Sequence, residues 1–172
     1  MGSEIWAGMF GLGGAVVGAG GAVLGGWLQV RATRRERVEG YRREAAQAAL
    51  NELIQLSDDL HARYNSLPAD PEYGTSSEFQ NFMHSGRRRL VAMQKNALLI
   101  PDRELRDRLA TIYRVGIAWL LSPGLRAGSQ ILWMLCASDE GIRLLAAFLR
   151  GDPLPQEFEG FAVIRRVEEA RN

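Results

Sequence analysis

One cysteine, one lysine and two histidines are all that the 172 residues contain of the side chains most used as thiolate nucleophiles, Schiff-base amines and imidazole ligands. The single cysteine, Cys136, excludes an intramolecular disulfide, and its apolar setting, ILWMLCA, is one that raises a thiol's pKa and leaves it unreactive. Asp58 and His61 stand at i,i+3 on a helical face, half of what a carboxylate-bridged di-iron bundle needs, and a second Glu-x-x-His unit is absent. No metal and no cofactor is expected. The phosphate-loop pattern GxxxxGK[ST] does not occur, and GxGxxG fails because Gly11 and Gly13 are followed by Val16. No nucleophile motif joins Ser, His and an acid, so neither an enzyme nor any catalytic residue is expected. An excess of one charge is also missing: 21 basic against 20 acidic residues leave a formal charge of +1, which gives no global attraction to nucleic acid. Arg87, Arg88 and Arg89 are the sharpest basic cluster of the later chain, but three consecutive helical positions point in three directions. Strand-like alternation is absent as well.

Against this stands one long run. From Ile5 to Val30 there is no charged side chain, between Glu4 and Arg31. A helix of that length is about 39 Å long, enough for a hydrocarbon core of roughly 30 Å. Trp6 and Trp27 would lie about 31 Å apart along it, at the two headgroup interfaces where indole partitions. No Lys or Arg precedes the run, which argues against a cleaved signal peptide. Arg31, Arg34, Arg35 and Arg37 follow it, the mark of the cytoplasmic side. The expected placement is the cell inner membrane, single-pass, with the N-terminus outside and the C-terminal domain in the cytoplasm.

Nine glycines interrupt this run, each costing roughly 1 kcal/mol in an ordinary helix. All but Gly13 and Gly20 are explained by their positions. Ala7, Gly11, Gly14, Gly18, Gly21 and Gly25 follow a 4,3,4,3,4 spacing and, with Ala22 and other small neighbours, cover nearly half the circumference, while Met9, Phe10, Leu12, Val16, Val17, Val23 and Leu24 fall opposite. Small residues in this arrangement let backbones approach and pack where lipid supplies no hydrophobic drive. The pattern resembles glycine-zipper membrane helices. A face this broad meets more than one neighbour, so a homo-oligomer larger than a dimer, or docking into another membrane or cytoplasmic protein, is expected.

After the span the chain reads as helix throughout. Residues 31–67 form a basic juxtamembrane stalk in which Ala46, Ala49, Leu53, Leu56 and Leu60 keep a 3,4 spacing in phase with Gly25. A continuous helix from Ala7 to Leu60 would measure about 80 Å, with Gly40 as a hinge. Residues 68–77 are the clearest loop, and Thr75 with Glu78 forms a capping-box pattern opening a helix toward Ile100, interrupted at Gly86. Pro101 and Asp102 restart a helix to about Leu121, in which Leu105, Leu109, Ile112, Gly116 and Trp119 share a face, and Ser122-Pro123-Gly124 stops it. A helix from Leu125 to Ala137 follows. Ser138 and Asp139 are read as the cap of a separate one from Glu140 to Arg150, and a last helix covers about Pro155 to Arg171. Arg114, Pro123, Arg126 and Gln130 break up the stretch from Ile112 to Ala137, which reads as a buried hairpin with Trp119 and Trp133 in the core.

The sequence therefore describes an all-α protein: a glycine-rich transmembrane helix (1–30) continuing into the stalk (31–67), a loop (68–77), and a compact helical-bundle cytoplasmic domain (78–172). The expected function is that of a structural or interaction module assembling in the lipid bilayer through Ala7, Gly11, Gly14, Gly18, Gly21, Ala22 and Gly25, with Trp6, Trp27, Arg31, Arg34, Arg35 and Arg37 at the membrane interface. The alternative is an oligomeric channel or membrane effector gated by the helical domain. No nucleic acid partner is expected.

Overall fold

The computed structural model describes residues 39–68, 71–120 and 125–170. The chain divides into two units, Met1–Tyr41 and Arg42–Asn172. The glycine-rich run, its seven small interface residues, both interfacial tryptophans and Arg31, Arg34, Arg35 and Arg37 lie outside the described residues, as do Leu121 and the Ser122-Pro123-Gly124 stop. In the first unit only 39–41 are described, and they are helical.

The described residues are all helical or connecting, with no strand among them. Helix α1 is described over residues 39–65, and Gly40 is helical within it. A 3-10 turn, Pro71–Thr75, leads into α2, Ser77–Ala97; then come α3, Arg103–Leu120, α4, Ala127–Arg150, and α5, Glu159–Glu169. Among the described residues no helix is long and apolar enough to cross a membrane.

From Arg42 onward α1 is part of the compact unit, not a stalk outside it. The stripe Ala46, Ala49, Leu53, Leu56 and Leu60 is at most 1% exposed and belongs to the same core as α2, α3 and α4. The 3,4 spacing was legible as an apolar face; that the bundle itself covers it is a tertiary fact. Pairings along the helices show an up-down-up-down arrangement. Arg63 of α1 meets Glu78 of α2, while Asp59 further back meets Arg89 further on. Gly116 of α3 lies under Leu90 of α2. Trp119 and Trp133 meet edge to face with ring planes 82° apart, and Ile112 lies over Gly141. The direction therefore reverses at each connection, which short loops between neighbouring helices favour. The hairpin of α3 and α4 contributes to the core, with Trp119 buried in it and Trp133 half-buried against it.

Glycines seat the neighbours in this core. A Cβ on Gly116 would come within 2.9 Å of Leu90 Cδ1, one on Gly86 within 3.0 Å of Met134 Cε and 3.3 Å of Leu56 Cδ1, and one on Gly141 would collide with Leu53 Cδ1. Gly86 therefore does not break α2. It is buried mid-helix, where its missing side chain makes room for α1 and α4.

Helix ends differ from the sequence reading in several places. Ser76, not Thr75, caps α2, its hydroxyl accepting from the Phe79 N–H at 3.1 Å, while Thr75 Oγ1 donates to the Glu72 carbonyl. The helix stops at Ala97, so Leu98 and Leu99 lie in the following turn and are exposed. Ser138 caps nothing: α4 is continuous from Ala127 to Arg150, and Ser138, fully buried, donates to the Met134 carbonyl four residues back. A serine can satisfy itself in this way inside a helix when packing demands continuity. Asp102 does cap α3, accepting from the Leu105 N–H at 2.8 Å, and Gly151 closes α4 at φ 77°, where a left-handed residue lets the Asp152 N–H reach the Ala147 carbonyl. Residues 152–158 are then irregular, and α5 begins at Glu159, four residues later than read.

Candidate functional site

The described cleft of interest lies between α3, α4 and α5, has a volume of about 590 Å³, and is lined by charged side chains above an apolar floor of Ile112, Leu144 and Phe161. Its position follows from the helices. Leu105, Leu109 and Ile112 turn one face of α3 into the core, which leaves Glu104, Asp107, Arg108 and Thr111 toward the cleft. Phe161 and Ile164 bury the inner face of α5 and set Arg165 and Glu169 along its border.

At its centre is Glu140 on α4, 1% exposed. Oε1 accepts from Arg108 Nη2 at 2.7 Å; Oε2 accepts from Arg143 Nη1 at 3.2 Å and from the Phe158 backbone N–H at 3.1 Å. Arg108 uses Nη1 to donate to the Pro155 carbonyl at 2.6 Å. A buried carboxylate is tolerated only when paired and hydrogen-bonded, and Glu140 meets both conditions with groups from three parts of the chain. The Arg143 guanidinium also lies over an aromatic face, 5.7 Å from the Phe158 ring centroid.

A second cluster holds α5. Arg165 donates from Nε to Glu157 Oε1 at 2.9 Å and from Nη2 to Oε2 at 3.0 Å, a two-pronged pair, and from Nη1 to Glu169 Oε1 at 2.8 Å. The hydrogen bonds from Arg165 are the main cause of a lowered Glu157 pKa, and the bond to Glu157, then that to Glu169, raises the Arg165 pKa. Between them the two clusters fasten the irregular linker 152–158 and α5 to the bundle.

The chemistry available follows from these partners. Arg108 and Arg165 are engaged by carboxylates of this chain, as Arg103 is by Asp107 at 3.7 Å, and Thr111 Oγ1 donates to the Asp107 carbonyl. The lining has no Ser, Cys, His or Lys. The arrangement is an ionic clamp holding helices together. Among the described residues no group of three or more His, Cys, Asp or Glu is placed to hold a metal ion.

The polar residues singled out from the sequence are scattered by the fold. His61 is exposed, its Nδ1 2.9 Å from the Ser57 carbonyl, and His84 is exposed on α2. Asp58 and Asp59 are exposed, and Asp59 pairs with Arg89 at 3.2 Å. Arg89 also reaches Gln55 and Glu52, so it joins α1 to α2, whereas Arg87 and Arg88 are exposed. Cys136 is half-buried, and burial first, then Asp139, pushes its thiol pKa up.

Glu140, Arg108 and Arg165 escaped the sequence reading. Glu140 reads as the first residue of a short helix, and its partner Arg108 is 32 positions away. One signal was available: in a continuous α4, Glu140 is in helical phase with Ala137 and Leu144, both buried. Comparison of the chain with family models, with curated proteins and with solved structures finds no match in any of the three.

Proposed function

We propose that the protein is a single-pass membrane protein of the cell inner membrane, N-terminus outside and helical bundle in the cytoplasm, that serves as a structural or interaction module. The spans assemble into a homo-oligomer larger than a dimer through Ala7, Gly11, Gly14, Gly18, Gly21, Ala22 and Gly25. The observation that carries this reading is the spacing of those residues within 26 uncharged positions, with bulky side chains opposite. The arginines after the run support the orientation. The ionic clamp supports a scaffold over a catalyst, because its charged groups are engaged in holding α5 and its linker to the bundle.

Chemical crosslinking of the full-length protein extracted from membranes tests the assembly. A ladder beyond the dimer is expected, and Gly18→Leu, which places a bulky side chain on the small face, is expected to abolish it. A ladder indifferent to Gly18→Leu removes the packing argument. Resistance to alkaline carbonate extraction tests the span itself. Ion flux through proteoliposomes that disappears together with the ladder would make the assembly a channel and not a scaffold.

A further inference from the structure

We propose, building on the membrane reading above, that the turn between α2 and α3 is a lipid-contacting tip: Leu98 and Leu99 enter the headgroup region of the bilayer that the Ile5–Val30 run crosses. They are adjacent and 65% and 66% exposed; among the described large apolar side chains only Tyr41, at 71%, is more exposed. The turn is held from within by Ile100, which is fully buried, and by Arg106, whose Nη1 donates to the Ile100 carbonyl at 2.6 Å. The two leucines are thus presented outward by an anchored turn.

The tip's place in the fold selects lipid as its occupant. Arg89 of α2 lies against Glu52, Gln55 and Asp59 of α1, and the two helices are antiparallel. Nine residues on, about 14 Å further along α2, Leu98 is level with the opening turns of α1 just after Arg42. The turn is therefore at the end of the bundle where the preceding chain is covalently attached. Only residues 31–41 separate Val30 from Arg42, a tether of about 17 Å if helical and no more than about 40 Å if fully extended. A tether of that length limits how far Arg42 can lie from the end of the uncharged run, while Ser66, at the end of α1, and Gly74, beside Ala127 at the start of α4, belong to the other end of the bundle. Arg42, Arg43 and Lys95, all exposed near the tip, suit a surface of anionic headgroups; Arg103, also exposed there, pairs with Asp107 at 3.7 Å, and Glu44 and Glu104 are further exposed acids nearby. Two leucines with a basic border have the character of an interfacial contact: apolar side chains at the acyl boundary, cations at the phosphates.

The test uses the full-length protein in vesicles of phosphatidylethanolamine and phosphatidylglycerol, in a Cys136→Ser background. A fluorophore is attached at Leu99→Cys or, for comparison, at Ser66→Cys beyond the far end of α1. Nitroxides carried on the lipid chains are expected to quench the Leu99 label at least about threefold more than the Ser66 label, with the reverse order for an aqueous quencher present on both sides of the bilayer. Leu98→Asp is expected to reduce the lipid quenching at Leu99 without changing the unfolding midpoint. Equal quenching at the two sites in carbonate-resistant protein overturns the tip. Protection of Leu99 from the aqueous quencher that rises with protein density, without lipid quenching, also overturns it and makes the turn a contact between copies. Extraction by carbonate is a separate outcome, which removes the span on which the tip depends.

Discussion

Arg108 on α3 and Glu140 on α4 form a 2.7 Å ion pair in which the carboxylate is 1% exposed, and the same guanidinium reaches across to the Pro155 carbonyl. One buried charge thereby joins two core helices to the linker that leads into α5. Removing one partner of such a pair leaves the other charged and uncompensated. Glu140→Ala is expected to cost about 3–5 kcal/mol in stability, measured by denaturant unfolding of the full-length protein in detergent. The linker 152–158, having lost its Phe158 contact, should also become the first site of limited proteolysis. A loss below about 0.5 kcal/mol would mean that the clamp is a surface pair in disguise.

Two glycines of similar helical setting should respond in opposite directions to the same substitution. A Cβ at Gly141 collides with Leu53 and approaches Ile112 Cδ1 at 3.6 Å, whereas nothing lies within 4 Å of one at Gly40. Gly141→Ala is expected to destabilise by about 1–3 kcal/mol through overpacking. Gly40→Ala is expected to stabilise by up to about 1 kcal/mol through helix propensity. Unfolding midpoints of the two variants, compared with the parent, decide whether the glycine at 141 is a seat for α1.

Ser138 separates the continuous-helix structure from the capped-helix reading. As an N-cap, its replacement by alanine would cost about 1 kcal/mol. As a mid-helix residue bonded only to the Met134 carbonyl, it should be replaced almost without effect, since that carbonyl belongs to the helix ladder in any case. Ser138→Ala is expected to leave stability within about 0.5 kcal/mol of the parent.

Acid should loosen α5 before the bundle. Arg165 lowers the Glu157 pKa below its usual 4.5, so the folded state binds the proton less readily than the unfolded chain does. The stabilising contribution is complete above pH 4.5 and disappears as the pH falls through the lowered value. Amide exchange in α5 is expected to rise over that acidic interval, and Glu157→Gln should flatten the dependence. If the variant and the parent follow the same pH course, Glu157 is not the titrating group.

How much was legible without coordinates is clearest from particular elements. The buried faces of α1 and α3, through Leu53, Leu56 and Leu60 and through Leu105, Leu109 and Ile112, are stated by a 3.6-residue period that neighbouring positions carry among themselves. So is the restart of the helix at Pro101-Asp102, where the structure adds that the Asp102 side chain caps it by accepting from the N–H three residues on. Errors arose where a local signal competed with a distant partner. Ser138-Asp139 has the look of a helix start, and burial against α1 and α3 made it the middle of one.

The sequence by itself determined the all-helical character, the phase of the core faces and the uncharged run at the N-terminus, because these depend on composition and on spacings of a few residues. Only the tertiary structure decided that the helix from Arg42 is covered by the bundle, that Glu140 is a buried clamp, and that Leu98 and Leu99 protrude at the end where the chain enters. Each of these depends on residues tens of positions apart coming together, and no local periodicity encodes which helix will meet which.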